Sequence, residues 1–261
     1  MEIPALRDLL NLSGKTAVVT GGGAGIGAAI AVRFAEAGAN IVVNFHSSAG
    51  AAATVVAQVN EKLGKAVAVQ ADVSTPEGVQ HLVGETLRTF GSLDVLVNNA
   101  GAYPLMPLLE MTPEHWDSVI NANLRTVHLC TQAAALKMAE SGKGGAIVNI
   151  ASIEADMPIA GHSHYCSSKA AVLMHTRTAA RELGRHGIRV NAVSPGLIWR
   201  QGLDEAWPEG VRRYKAAVPL SRLGDAFDIA DACVFLASPA SRWTTGANLV
   251  VDGGVMTNQT F

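Results

Sequence analysis

Thr16-Ala17-Val18-Val19-Thr20-Gly21-Gly22-Gly23-Ala24-Gly25-Ile26-Gly27 decides the fold of this chain. Thr16 to Thr20 is an apolar run of strand length. After the glycines, Ile26, Ile30 and Phe34 recur at helical spacing until Gly38. Strand, glycine turn and helix, in that order, make a dinucleotide site. Glycine lets the backbone come close to a pyrophosphate, and a helix N-terminus favours its negative charge.

The same alternation extends outward from this unit. Strand-like runs lie at about 16–20, 40–45, 66–72, 94–100, 146–152, 188–194 and 247–252. Helical patterns lie between them at about 26–37, 49–63, 76–90, 113–139, 165–184 and 226–237. The strands are rich in Val, Ile and Ala on both faces, as buried parallel strands are. The expectation is an α/β, Rossmann-type, doubly wound sheet of seven parallel strands with helices on both faces. A short arm, 1–12, precedes a single domain, 13–261, with a binding loop or lid at about 197–225. That loop carries Trp199, Arg200, Asp204, Glu205, Trp207, Arg212, Arg213 and Tyr214. Ligands of such sheets bind beyond the carboxyl ends of the strands, and Gly21, Asn99, Ser152 and Pro195 all stand at or just after one.

Composition excludes several classes. A net charge of −2 gives no basic stripe for nucleic acid or anionic lipid. No apolar run reaches membrane-spanning length, and the charged N-terminus does not read as a secretory signal. Cys130, Cys166 and Cys233 are far apart and make no metal-ligand pattern. They fit reduced thiols of a cytoplasmic protein.

Ser152, Tyr165 and Lys169 carry the candidate chemistry. Tyr165 and Lys169 are four apart and share a helix face. A tyrosine near its usual pKa of about 10 is a poor base at neutral pH. A nearby ammonium favours the phenolate, so Lys169 is expected to lower the Tyr165 pKa. A serine hydroxyl ahead of the pair suits a carbonyl or alcohol oxygen. Alone, a Tyr-x-x-x-Lys pair says little; its weight comes from standing just after a strand end of a nucleotide-binding sheet.

The turn after the second strand bears on the cofactor. An NAD site usually places an acid there for the ribose 2′-hydroxyl. From Ala37 to Asn60 this chain has no Asp or Glu. Asn44, His46, Ser47 and Ser48 instead offer amide, imidazole and hydroxyl donors beside Phe45. This favours NADP(H) over NAD(H), although no Arg or Lys stands in the turn, where a 2′-phosphate often meets one.

Thr20-Gly21-x-x-x-Gly25-x-Gly27, Asn98-Asn99-Ala100-Gly101, Asn123, the Ser152/Tyr165/Lys169 set and Pro195-Gly196 together resemble the short-chain dehydrogenases/reductases. The resemblance runs from about Leu12 to Gly254. It also touches the bacterial subset of 3-oxoacyl-carrier-protein reductases and glucose dehydrogenases, through Phe45-His46-Ser47. It implies hydride transfer between a nicotinamide and a carbonyl or secondary alcohol. Tyr165 would be general acid/base, Ser152 would orient the substrate oxygen, Lys169 would hold the ribose and Asn123 would complete a proton relay, with Asn121 the competing candidate.

By the same resemblance Gly21, Gly25, Ile26 and Gly27 hold the pyrophosphate, and Asp72-Val73 flank the adenine. Asn99-Ala100-Gly101 support the adenosine ribose. Ile150, Pro195, Gly196 and Ile198 join the nicotinamide end. Ser152, Glu154, Tyr165, Trp199 and Arg200 face the substrate, with His162 and His164 near them. Glu154 and the histidines would suit a hydroxylated substrate. Arg200 stands where the family often has threonine, and could reach a phosphate, an anionic substrate or solvent. Arg181, Arg185, His186 and Arg189 are a weak acyl-carrier docking patch. A homotetramer follows from resemblance and from apolar residues on several faces of the two long helices. A 3-oxoacyl thioester reductase and a non-catalytic nucleotide sensor are the alternative functions.

Overall fold

In the computed structural model, which describes residues 4–257, β1 (Thr16–Val19) pairs in parallel with both β2 (Asn40–Phe45) and β4 (Val95–Asn98). The sheet has seven strands in the order β3-β2-β1-β4-β5-β6-β7. The remaining strands are β3 (Ala66–Gln70), β5 (Gly145–Ile150), β6 (Ile188–Pro195) and β7 (Asn248–Val251). All pairings are parallel. The strand order reverses between β1 and β4, and the crevice at that switch point is where such sheets bind ligands.

Alternate side chains along β1 divide the core. Ala17 and Val19 join α1 (Gly25–Glu36), α2 (Ala49–Lys62) and α9 (Ala226–Ala237) on one face. Val18 joins α3 (Pro76–Phe90) and α5 (Thr126–Ser141) on the other. Local chemistry sets the helix ends. The Thr75 side chain accepts the Gly78 N–H ahead of Pro76, and α3 stops at Gly91 with φ 76°. Asp225 and Asp228 form a capping box at the start of α9.

The single helix expected at 113–139 is two helices joined by a turn. After α4 (Pro113–Ile120), residues Asn121–Arg125 form a π-helical turn before α5. The extra residue was invisible in the apolar spacing, and π-turns concentrate at functional sites. Between β6 and α9 the long connection holds α7 (Leu203–Ala206) and α8 (Pro208–Ala217). These pack on their own small core of Leu203, Val211 and Leu223. An isolated parallel bridge between Ile198 and Gly224 closes the base of the connection.

The segment before β1 is tied to the domain. Leu12 is buried in the core and its N–H donates to the Ala37 carbonyl at 2.8 Å, while the Leu9 carbonyl accepts from Ala240 at 3.0 Å. No helix among the described residues is long and apolar enough to cross a membrane.

Arg189 has a different place from the one expected. Arg181, Arg185 and His186 are exposed beyond or late in α6 (Ser163–Leu183). Arg189 is half-buried and its guanidinium donates to the carbonyls of Leu236, Ala237 and Ser238 and to Ser241 Oγ, at 2.7–3.3 Å. It caps the C-terminus of α9 and is unavailable for docking. Arg189→Ala should therefore lower stability by about 3 kcal/mol, because several inward carbonyls lose a charged donor. Arg189→Lys should recover only part, since one ammonium cannot span the same acceptors. Denaturant midpoints of the two variants check this; equal midpoints for wild type and Arg189→Ala would refute it.

Candidate active site

The glycine turn is held from behind. Gly21 has φ 61°, a conformation that favours glycine. Gly22 N–H donates to Asn44 O at 2.9 Å. A Cβ on Gly27 would strike Gly21 O and lie 2.6 Å from Asn99 Nδ2, so α1 can approach the turn only at glycine. Asn99 Nδ2 donates to the carbonyls of Thr20 (2.9 Å) and Gly21 (3.1 Å). Thr20 Oγ1 accepts the N–H groups of Asn99 and Ala100 at 3.0 Å each. Ala24 caps α1 with no side-chain hydrogen bond, and the helix ladder begins with Ala28 N–H to Ala24 O. The N–H groups of Gly25, Ile26 and Gly27 precede that bond and have no carbonyl of the helix to meet. This cradle fits the diphosphate of a dinucleotide.

Asn44 does not offer its amide to a ligand. It is buried, and Nδ2 donates to the carbonyls of Ala71 (3.0 Å) and Val69 (3.4 Å) while Oδ1 accepts Gly21 N–H at 3.4 Å. It ties β2, β3 and the glycine turn together. His46, Ser47 and Ser48 are exposed at the end of β2, and Phe45 is half-buried. Asp72 Oδ1 accepts the Ser74 hydroxyl at 2.7 Å and its N–H at 2.9 Å. Those bonds hold the carboxyl below its usual range. Part of Asp72 therefore builds the turn into α3, and buried Val73 packs beside it.

Ser152 follows β5, and α6 places Tyr165 and Lys169 on successive turns. Ser152 Oγ accepts Glu154 N–H at 3.1 Å and is hydrogen-bonded to the Tyr165 side chain. Lys169 is 4% exposed, its Nζ donates to Ile150 O at 2.7 Å, and it lies 5.6 Å from the Tyr165 ring centroid. Burial pushes Lys169 down to about 8. It also pushes Tyr165 up to about 12, against the Ser152 hydrogen bond, which favours the phenolate. The expected lowering of Tyr165 is not what this geometry gives: loss of water dominates, and the Glu154 carboxylate acts in the same upward sense.

Asn123 sits in the π-turn, fully buried, while Asn121 is exposed. Its Nδ2 donates to Ala102 O (2.7 Å) and Val119 O (3.0 Å). Asn123 Oδ1 is buried without a hydrogen-bond partner among the described residues. It faces Gly101, where an added Cβ would strike Oδ1 and stand 3.8 Å from Lys169 Nζ.

On the outer side, Glu154 Oε2 and His162 Nδ1 are 2.7 Å apart, and the His162 ring lies 5.4 Å from that of Tyr165. His164 is instead a core residue: it is wholly buried and its Nδ1 accepts Tyr165 N–H at 2.9 Å. Arg200 stacks over Tyr103 at 5.7 Å, and Tyr103 meets Tyr165 edge-on at 6.1 Å. Trp199 Nε1 donates to Asp204 at 2.9 Å. Pro195 ends β6, and Gly196 N–H donates to Val251 O at 3.0 Å. Tyr214 Oη accepts Leu197 N–H at 3.0 Å and donates to Asp252 O at 3.3 Å, fixing the segment that leads to Ile198.

Three supports are silent in the sequence. Tyr214 reads only as one more residue of the lid, and Thr20 only as part of the turn. Asn149 accepts from Asn98 at 2.8 Å and donates to Thr176 at 2.9 Å, a polar seam from β4 through β5 to α6. Its one signal was an asparagine inside an apolar strand.

A family model described as enoyl-(acyl carrier protein) reductase matches residues 21–256. The chain is 39% identical over 249 residues to the L-rhamnose 1-dehydrogenase (NAD(P)(+)) of Sphingomonas sp. (strain SKA58), covering 95% of this chain and 98% of that one. It is 39% identical over 241 residues to the 3-oxoacyl-[acyl-carrier-protein] reductase of Staphylococcus aureus (strain Mu50), covering 92% and 98%. A solved short-chain type dehydrogenase/reductase from Mycobacterium marinum superposes with a TM-score of 0.92 at 36% identity, over 97% of this chain and 100% of that one. Sheet order, glycine cradle and these likenesses agree: the chain belongs to the short-chain dehydrogenase/reductase family, and its general activity is NAD(P)-dependent oxidoreduction of carbonyl and alcohol substrates.

Proposed function

We propose that this protein interconverts a carbonyl and a secondary alcohol with NADP(H), using Tyr165 as general acid/base. The observation that carries the reading is the convergence of Ser152, Tyr165, Lys169 and Asn123 in one cluster beyond the ends of β4 and β5. When bound, the nicotinamide supplies hydride to a carbonyl carbon or takes it from a carbinol carbon. Gly21, Gly25, Ile26 and Gly27 hold its diphosphate, with Asn99, Ala100 and Gly101 supporting the adenosine ribose. Ile150, Pro195, Gly196 and Ile198 form the nicotinamide end. Asp72 and Val73 flank the adenine.

Tyr165, protonated at neutral pH, delivers its proton to the developing alkoxide in reduction. Ser152 donates to the same oxygen. Lys169 is a buried cation that holds the ribose hydroxyls and can reload the tyrosine. Asn123, with Oδ1 free, positions a water between Lys169 and solvent. Trp199, Arg200 and Glu154 bound the substrate side, and 197–225 acts as the lid. Arg200, leaning on Tyr103 beside Tyr165, points this guanidinium at the mouth of the site.

A 3-oxoacyl thioester reductase is the second reading, favoured by the likeness to the Staphylococcus enzyme. Commitment of Arg189 to α9 weakens it, because it removes one of four candidate docking cations. A nucleotide sensor without turnover would have no use for the whole catalytic cluster. Assembly as a homotetramer and a cytoplasmic location complete the proposal. Met174 and Leu136 on the long helices, and Trp243 and Val250 near the edge strand β7, are exposed apolar groups suited to subunit contacts.

Tyr165→Phe should lower turnover by roughly 10²–10⁴-fold while NADPH binding persists; undiminished turnover would remove the tyrosine from the chemistry. Alcohol oxidation needs the phenolate, whose fraction grows about tenfold per pH unit below its pKa, so oxidation should rise from pH 6 to 8. Reduction should stay level to about 8 and decline as Lys169 loses its proton. Steady-state rates in both directions check these slopes. His46→Asp should invert a preference for NADPH over NADH, by placing a carboxylate where a 2′-phosphate would lie. An unchanged cofactor ratio would take His46 out of the site. Light scattering on the eluted protein should give a tetramer, and a stable monomer would overturn that assignment.

A further inference from the structure

Glu154 and His162 form a polar pair that the proton and hydride transfers do not use. Their cost is visible, since the carboxylate disfavours the Tyr165 phenolate. Glu154 belongs to the short turn after Ser152, and His162 precedes α6. The His162 carbonyl accepts Cys166 N–H at 2.8 Å, which fixes the ring at the first turn of α6, three residues before Tyr165. Cys166 Sγ also donates to Glu154 Oε2, at 3.6 Å. Glu154 is therefore doubly tethered in front of the tyrosine.

Buried polar atoms in proteins almost always have a partner. His162 is 7% exposed, and its Nε2 is buried with no hydrogen bond among the described residues, in a ring packed 5.4 Å from that of Tyr165. His164 Nε2 and His175 Nδ1 are also buried without a hydrogen-bond partner among the described residues, but the His162 ring is the one packed against the Tyr165 ring and held at its other nitrogen by a carboxylate. Glu154 at Nδ1 fixes which nitrogen remains on offer. A neutral ring that donates from Nδ1 presents an acceptor at Nε2, and a charged ring presents a donor. A hydroxyl group can satisfy either form; a methylene can satisfy neither.

We propose that His162 Nε2, oriented by Glu154, receives a hydroxyl on the carbon next to the reacting carbon, so that the substrates are α-hydroxy carbonyl compounds and vicinal diols, including sugars. This rests on the hydride-transfer reading of the same site. The pair then acts as a specificity element: the methylene beside the ketone of a 3-oxoacyl chain leaves Nε2 buried and unmatched. Sites built to bond a hydroxyl discriminate strongly against analogues that lack it.

The test is the ratio of kcat/KM within matched pairs: hydroxyacetone against acetone, and acetoin against butanone, with NADPH. An adjacent hydroxyl activates a ketone intrinsically, so the change of ratio between variants is the readout. His162→Leu should reduce the ratio by about 30-fold, within the range expected when a buried hydroxyl partner is lost. Glu154→Leu should reduce it similarly, whereas Glu154→Gln, which keeps an acceptor for Nδ1–H, should retain most of it. Thermal midpoints and NADPH affinity of each variant separate a folding defect from a loss of selectivity. Turnover of both members of a pair with a ratio that His162→Leu does not move would overturn this inference alone. Absence of turnover of every compound by the wild type, in either direction, would overturn the hydride-transfer reading and this inference with it.

Discussion

Lys169 carries an ammonium into a place that water hardly reaches. Its Nζ has the Ile150 carbonyl at 2.7 Å and the Tyr165 ring nearby, but no carboxylate among the described residues pairs with it. Lowering from 10.5 to about 8 means that folding disfavours the charged form. Because the folded pKa is the lower one, the penalty is complete below about 8 and fades as pH rises towards 10.5. At neutral pH it is of order 3 kcal/mol. The fold must offset this from elsewhere, and the surrounding arrangement follows from holding that charge in place. A strand must end at Ile150 to present its carbonyl, α6 must start just ahead of Tyr165, and Gly101 must lack a side chain so that Asn123 can come within range.

The two halves of the site are built differently. The nucleotide half is main chain on rigid elements, cross-tied by Thr20, Asn44 and Asn99, whose side chains are spent on backbone groups. The substrate half is side chain on short turns and on the two small helices of the long connection, which have a separate apolar cluster. On the proposed reading, precision is concentrated where a common cofactor would bind, and adaptability where substrates would differ.

Most of the fold was legible because parallel strands buried on both faces leave an unbroken apolar signature, and all seven were located within a residue or two. The residues proposed for catalysis were legible because they stand just after a strand end of a nucleotide-binding sheet. What escaped was of another kind. The π-turn adds one residue without breaking an apolar pattern. Asn44 reads as a donor facing a ligand, yet its amide turns inward, since direction across a strand end is fixed by neighbours far away in sequence. His164 and His162 look alike in the chain, but helix phase sends one into the core and leaves the other beside Tyr165. Arg189 reads as surface charge because the carbonyls it caps lie in a helix some fifty positions later. The sign of the Tyr165 shift depends on how much water is excluded, a property of the assembled layers.

The π-turn at Asn121–Arg125 has a further consequence for how this sequence can drift. One residue of an α-helix corresponds to about 100° of rotation. The π-turn winds five residues through about the angle that four residues of α-helix cover. Were the same five to wind as regular helix, everything after them would swing by nearly 100° relative to α4, and the stripe of Cys130, Ala134 and Met138 would leave the sheet. Excising one position would instead restore regular helix with α5 in nearly its present phase. The layer that α5 builds is therefore separable from the turn that seats Asn123: a lineage could gain or lose that seat by a single residue and keep the packing that follows it.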